Sequence, residues 1–155
     1  MEARRVSEST TTVSQLMLPT DANSSGNVHG GTIMKLVDTV GGVVAMRHCR
    51  RRVVTARIDE MSFLHPVYVG DLVTLKASMN GVGRTSMEVG VRVETENLLT
   101  GEVTHTATAN LVYVALGADG RPVEVPRLIP ETEEDERRME EARVRRERRE
   151  RHQAS

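Results

Sequence analysis

The chain has 155 residues, a formal net charge of −1 and an aromatic content of 2 %. That length suits one domain, the near-neutral balance excludes nucleic acid as the principal partner, and a core so poor in aromatics must be filled by Val, Leu, Ile, Ala and Met. The opening residues, MEARRVSEST, lead into no apolar stretch, and the longest unbroken apolar or glycine run, Val40 to Met46, is far short of the roughly 20 residues that span a bilayer. A cytoplasmic protein without membrane insertion is expected. Cys49 is the only cysteine, which excludes an internal disulfide and a cysteine-rich zinc site; it reads as a small buried side chain.

Residues 1–9 read as an N-terminal arm, and Thr10 to Leu18 (TTTVSQLML) alternates loosely, as a strand does. Asp21 to Gly31 is rich in Gly, Asn and Ser and predicts a loop. From Gly30 to about His48, Ile33, Val37, Val40 and Val44 recur at helical spacing, while Leu36 and Val43 are apolar on other faces. A helix apolar nearly all round must be surrounded. After Arg50-Arg51-Arg52 the period changes to two. Val53 to Phe63, the run Val73, Leu75, Ala77 and Met79, the run Met87, Val89, Val91 and Val93, and Val103 to Leu116 predict half-buried antiparallel strands. "NGVG" (Asn80 to Gly83) predicts a hairpin turn, and "NLLTGE" (Asn97 to Glu102) a looser one. One antiparallel sheet wrapped around one helix satisfies both periods and gives an α+β domain over residues 10–130. One helix face and one sheet edge stay uncovered in that arrangement, so pairing with a second chain is expected. Residues 131–155, with 9 acidic and 8 basic side chains, form a charged tail, helical or disordered. Its i,i+4 pairs, Glu133 with Arg137 and Glu141 with Arg145 among them, each contribute about 0.2–0.5 kcal/mol and predict a solvated helix.

Chemistry concentrates in "DANSSGNVHGGTIMKLVDTVGG" (Asp21 to Gly42). Unpaired backbone N–H groups at a helix start can polarise a carbonyl, and Gly30 and Gly31 leave room for one; His29 stands just before them as a turn cap or a ligand-facing group. "HGG" superficially resembles the oxyanion loop of esterases, but no G-x-S-x-G elbow is present, which disfavours a serine hydrolase. Asp38 is surrounded on the helix by Met34, Val37, Gly41 and Gly42. A carboxylate there either pairs with a group such as Lys35 or lines a cleft. Two adjacent glycines inside a helix cost roughly 1 kcal/mol each; close approach of another group is a reason for them, and they favour the cleft. Gly31 and Asp38 are seven residues apart, roughly 10 Å along a helix, too far to flank one small carbonyl within a single chain. A two-fold pair of chains can bring them together. The five histidines show no zinc-ligand spacing, and neither a Walker loop nor a dinucleotide glycine motif occurs, so no metal and no cofactor are expected.

"NSSGNVHGGTIMKLVDTVGGVVAMRHC", "VVTARIDEMSFLHPVYVGD", "TSMEVGVRV" and "YVALGADGRPVEVPRL" resemble, in order from Thr10 to Leu128, the hotdog-fold acyl-CoA thioesterases, especially the cytosolic long-chain and bacterial broad-range types. The resemblance implies a hotdog fold with active sites between the two subunits of a dimer, and dimers commonly associated as a trimer of dimers, a hexamer. It implies hydrolysis of fatty acyl-CoA to free fatty acid and coenzyme A, with coenzyme A as part of the substrate rather than a cofactor. An aspartate in the "MKLVD" segment, Asp38 here, is the family's base or nucleophile; an asparagine ahead of "GNVHGG", Asn23 here, acts from the opposing subunit. A backbone N–H near Gly30 and Gly31 would polarise the thioester carbonyl.

Coenzyme A phosphates need cations, for which Arg57, Arg84 and the Arg50-Arg51-Arg52 run are candidates, with Thr55 and Ser86 as hydrogen-bonding neighbours. Two rival readings share the fold. Hotdog hydratases carry a histidine five residues after the aspartate, where this chain has Val43, and dehydratases pair a histidine with an acid, which leaves only His29. A non-catalytic acyl-CoA-binding module is the other, disfavoured because a pure binder needs no carboxylate beside a thioester.

Overall fold

Alternation and helical spacing translate into elements almost where they fall in the chain. A computed structural model describes residues 1–154, apart from the side chains of Glu60 and Ala154; Ser155, the last residue of the expected tail, lies outside them. Strand β1 (Arg4–Arg5) is followed by β2 (Thr11–Leu16), helix α1 (Gly30–Cys49), β3 (Arg52–Phe63), β4 (Asp71–Val82), β5 (Ser86–Asn97), β6 (Val103–Leu116), β7 (Leu128–Ile129) and α2 (Glu133–Ala154). The five long strands form one antiparallel sheet in the order β2-β4-β5-β6-β3. The two short strands pair in parallel and tie the N-terminal arm to the segment before α2. The expected hotdog arrangement, one sheet around one helix, is the one observed.

The core lies between α1 and the inner face of the sheet. Val37, Val44 and Ala45 of the helix and Val73, Leu75, Met87, Val89 and Leu111 of the sheet are fully buried. Arg50 ends the helix in the left-handed region (φ 56°), its N–H bonded to the Met46 carbonyl at 2.7 Å. This cap reverses the chain within two residues, so β3 starts beside the helix it has just left. His48, in the last turn, is buried with Nε2 2.8 Å from the Pro126 carbonyl, and burial lowers its pKa from the ordinary imidazole value. The neutral ring therefore donates through Nε2 and ties the end of α1 to the segment leading into β7. Among the described residues no helix is long and apolar enough to cross a membrane.

Two expectations are corrected. "NGVG" is not the hairpin turn. Asn80 and Gly81 lie within β4, where the register shifts between Met79 and Gly81, and the chain turns after Val82 instead. The reason is Asn80 itself, which is buried and donates from Nδ2 to Glu88 at 2.9 Å and to Asn110 at 3.1 Å. Those cross-strand bonds outweigh the local turn preference and leave a β-bulge in its place.

The charged tail is not simply solvated. Since Met87, Val89 and Val91 point into the core, Glu88 and Gly90 face the other side of the sheet, and α2 packs on that outer face against β4. Ala142 is buried there, and a Cβ added to Gly81 would sit 3.0 Å from its methyl. Small residues on both sides let helix and strand approach. Arg145 forms a two-pronged pair with the buried Glu88 at 2.9 and 2.8 Å, and Arg146 donates to the Val82 carbonyl at 2.9 Å. The expected on-helix pair between Glu134 and Arg138 forms, whereas Arg137 pairs with Glu134 and Glu141 and Arg145 reaches across to the sheet.

Candidate active site

Asp38 sits half-buried in the middle of α1. Two hydroxyls hold it: Thr55 Oγ1 donates to Oδ1 at 2.8 Å, and the Tyr113 hydroxyl lies 2.7 Å from the Asp38 carbonyl and 3.1 Å from the same Oδ1. Hydroxyls, not Lys35, are the partners. Both contacts with the carboxylate fall on Oδ1, so Oδ2 has no partner among the described residues. Burial and the neighbouring Asp38 charge raise the Tyr113 pKa far above its ordinary value, so the phenol stays protonated and acts only as a donor.

Tyr113 also explains the glycine pair. Its ring is fully buried, and a Cβ on Gly41 would overlap the phenol oxygen and lie 3.1 Å from Cζ, while one on Gly42 would rest 3.7 Å from Cε1. What approaches the helix is therefore an aromatic ring of the chain's own β6. Residue types alone did not single out Tyr113. The available signal was its place between the inward-facing Leu111 and Ala115, as one of only two tyrosines in the sequence.

Thr55 reaches Asp38 because of a second bulge. It pairs with Tyr113 while Arg57, two residues on, pairs with Val112, with a register shift between them. Tyr113 faces the helix, so Val112 and Arg57 face outward. Thr55 thus stands on the Asp38 side of the sheet and Arg57 on the α2 side. Arg84 lies in the exposed β4–β5 turn, 3.8 Å from Glu124, and Ser86 opens β5 opposite Val114. Arg50 and Arg51 lie exposed just before β3. Within one chain these cations do not converge on a single point.

A second cluster of the candidate residues lies at the start of α1. Asn23, His29 and Gly30 line one cavity of about 430 Å³ together with Phe63, Leu64 and His65. Asn23 Oδ1 accepts the backbone N–H groups of Ser25 at 2.9 Å and Asn27 at 3.2 Å, which fold the loop and leave the Asn23 amide nitrogen as the group able to donate. No side chain caps the helix, and the His29 carbonyl takes the amides of Thr32 and Ile33. The Gly30 and Gly31 amides have no partner among the described residues. Asp38, seven residues beyond Gly31, lies outside this cavity. One chain therefore holds two separate groups: donors at Asn23 and Gly30 in the cavity, with Gly31 beside it, and the Asp38 carboxylate with Thr55 and Tyr113.

The thioesterase superfamily matches residues 25–102. A Bacillus subtilis protein named as an uncharacterized acyl-CoA thioester hydrolase is 42 % identical over 134 residues, which cover 86 % of this chain and 78 % of that one. The crystal structure of a hexameric acyl-CoA thioesterase superposes with a TM-score of 0.93 at 40 % identity over 99 % of both chains. An acyl-CoA hydrolase from Staphylococcus aureus, solved with butyryl coenzyme A, coenzyme A and coenzyme A disulfide, superposes with a TM-score of 0.89 at 31 % identity, covering 98 % of this chain and 93 % of that one. Structures of the same enzyme carry alanine in place of an aspartate, an asparagine or a threonine. With the family match running over half the sequence and these likenesses over nearly all of it, the chain belongs to the thioesterase superfamily and has its hotdog fold.

Proposed function

We propose that the protein is an acyl-CoA thioester hydrolase, releasing fatty acid and coenzyme A, with an active site completed by two copies of the chain. Asp38 of one subunit would work with Asn23 and the Gly30 and Gly31 amides of the other. The observation that carries this reading is the Asp38 carboxylate, one oxygen held by Thr55 and Tyr113 and the other left open. An open oxygen in a fixed orientation can take a proton from water or attack a carbonyl. The S. aureus residues replaced by alanine lie 15 and 17 positions apart in the order asparagine, aspartate, threonine, the intervals that separate Asn23, Asp38 and Thr55.

The two groups suggest how the subunits meet. The edge strand β3 carries Thr55 near one end and Phe63 at the other, with Val54, Ile58 and Phe63 exposed. Antiparallel pairing of two such edges moves the Thr55 end of one chain toward the Phe63 end of the other. In the reaction, Oδ2 of Asp38 takes a proton from water as the water oxygen bonds to the thioester carbon. The amides of Gly30 and Gly31, with the Asn23 nitrogen, stabilise the developing oxyanion. Collapse breaks the carbon–sulfur bond, and the proton returns to the departing thiolate. Direct attack by Oδ2, giving an anhydride that water then opens, uses the same groups. Neither route needs a metal or cofactor. A trimer of dimers is the proposed assembly and the cytoplasm the proposed setting, in keeping with the buried thiol of Cys49, which forms no disulfide.

Thiol release from acyl-CoAs of graded chain length tests the proposal. Turnover of part of the series is expected; no release from any member would overturn it. Tyr113→Phe keeps the ring and removes a hydroxyl whose one hydrogen is shared between the Asp38 carbonyl and Oδ1, a loss of up to about 3 kcal/mol. Its kcat is expected to fall about 10- to 100-fold with KM little changed, and circular dichroism should show an intact fold.

A further inference from the structure

On the outer face of the sheet, Asp59 stands between two guanidinium groups. Arg57 Nε bonds its Oδ1 at 2.5 Å, and Arg149, in the fifth turn of α2, donates to its Oδ2 at 2.9 Å and lies 3.8 Å from Glu88. Asp59 and Arg149 are both largely buried, whereas Arg57 is half-exposed, with 51 % of its side chain accessible. Arg57 engages Asp59 through Nε, so its terminal nitrogens are without a partner among the described residues. Those nitrogens are the fork that grips a phosphate.

We infer that Arg149 is a positioning residue for substrate: by neutralising Asp59 from α2, it leaves the Arg57 charge free to hold a phosphate of the coenzyme A moiety. The inference rests on the acyl-CoA reading above and gives the charged C-terminal helix a part in it. An Asp59 carboxylate compensated only by Arg57 would cancel the charge of that arginine. Shared between two guanidiniums, it fixes the orientation of Arg57 and leaves the triad with a net charge of +1. The C-terminal helix then acts on substrate affinity without lining the reacting atoms.

The test compares two substrates carrying the same acyl group, one on coenzyme A and one on N-acetylcysteamine, which has the thioester but no phosphate. Arg149→Ala should raise KM for the coenzyme A substrate about tenfold, equivalent to about 1.4 kcal/mol, with kcat retained and the N-acetylcysteamine substrate unaffected. Arg149→Lys should recover part of the loss. Adding Asp59→Asn to Arg149→Ala, which removes the uncompensated charge and keeps an oxygen for Arg57 Nε, should recover most of the lost affinity; a double variant as weak as Arg149→Ala would overturn the inference. An unchanged KM in Arg149→Ala, or an equal rise for both substrates, would overturn the inference while leaving the hydrolase reading intact. Calorimetric titration with coenzyme A itself separates the two questions. A wild type that binds coenzyme A without hydrolysing any thioester defeats the hydrolase reading, and the relay is then judged by whether Arg149→Ala weakens that binding about tenfold. A wild type that neither binds coenzyme A nor hydrolyses its thioesters overturns both.

Discussion

Replacing Asp38 by alanine is expected to lower kcat for acyl-CoA hydrolysis about a thousandfold, the middle of the range for a positioned general base, with KM changed only a few-fold. The expectation follows from how the carboxylate is held. Thr55 and Tyr113 hold Oδ1 and leave Oδ2 open, so in the proposed mechanism the side chain serves the reacting centre rather than the core. Asp38→Asn is the sharper variant, because its amide oxygen can still accept from both hydroxyls while its nitrogen can neither take a proton nor attack. Stability should be close to wild type and turnover as low as in the alanine variant. An Asp38→Asn enzyme with near-normal kcat would make the carboxylate structural. Single-turnover hydrolysis in isotopically labelled water distinguishes the two routes, since label entering Asp38 marks the anhydride.

Alanine at Gly41 and alanine at Gly42 should have opposite effects. In an open helix either change gains up to about 1 kcal/mol. At Gly41 the new methyl would occupy the position of the Tyr113 phenol, whose ring is fully buried and has no space to withdraw. Overpacking of this kind costs about 1–3 kcal/mol, so a net loss of about 1–2 kcal/mol is expected. Displacement of the phenol would also break its bonds to Asp38 and reduce kcat at least as much as Tyr113→Phe does. At Gly42 the methyl meets Cε1 at 3.7 Å, an ordinary contact, and the variant should be as stable as wild type or more so, with activity kept. Urea denaturation of the two proteins reads the difference directly. Equal stabilities would mean that the ring is not the reason for the glycines.

Much of the fold was legible because burial enforces the periods. The all-round apolar pattern of Ile33, Val37, Val40 and Val44 needs a surrounding sheet, and the alternation from Val73 to Val93 needs one covered face; both survive in the structure. What stayed hidden depends on residues far apart in sequence. Asn80-Gly81 reads locally as a turn, but Asn80 is claimed by Glu88 and by Asn110 thirty residues on. The tail reads as a solvated helix because spacing arithmetic cannot register that Arg145 and Arg149 find carboxylates at Glu88 and Asp59. For the candidate site, Asp38 stood out by its apolar neighbours, and Asn23 entered through the family resemblance. The glycine pair announced a close approach without naming Tyr113, which is 72 residues further along than Gly41.

The central claim is that Asp38 and Asn23 act together from different subunits, and complementation measures it most directly. Asn23→Ala and Asp38→Ala chains, each inactive alone, would be co-expressed with different affinity tags and the mixed oligomer purified through both. In a mixed dimer one site regains Asn23 from one chain and Asp38 from the other while the second site loses both, so about half the wild-type activity per dimer is expected. Recovery of that order would establish the shared site, whereas mixed oligomers as inactive as their parents would contradict it.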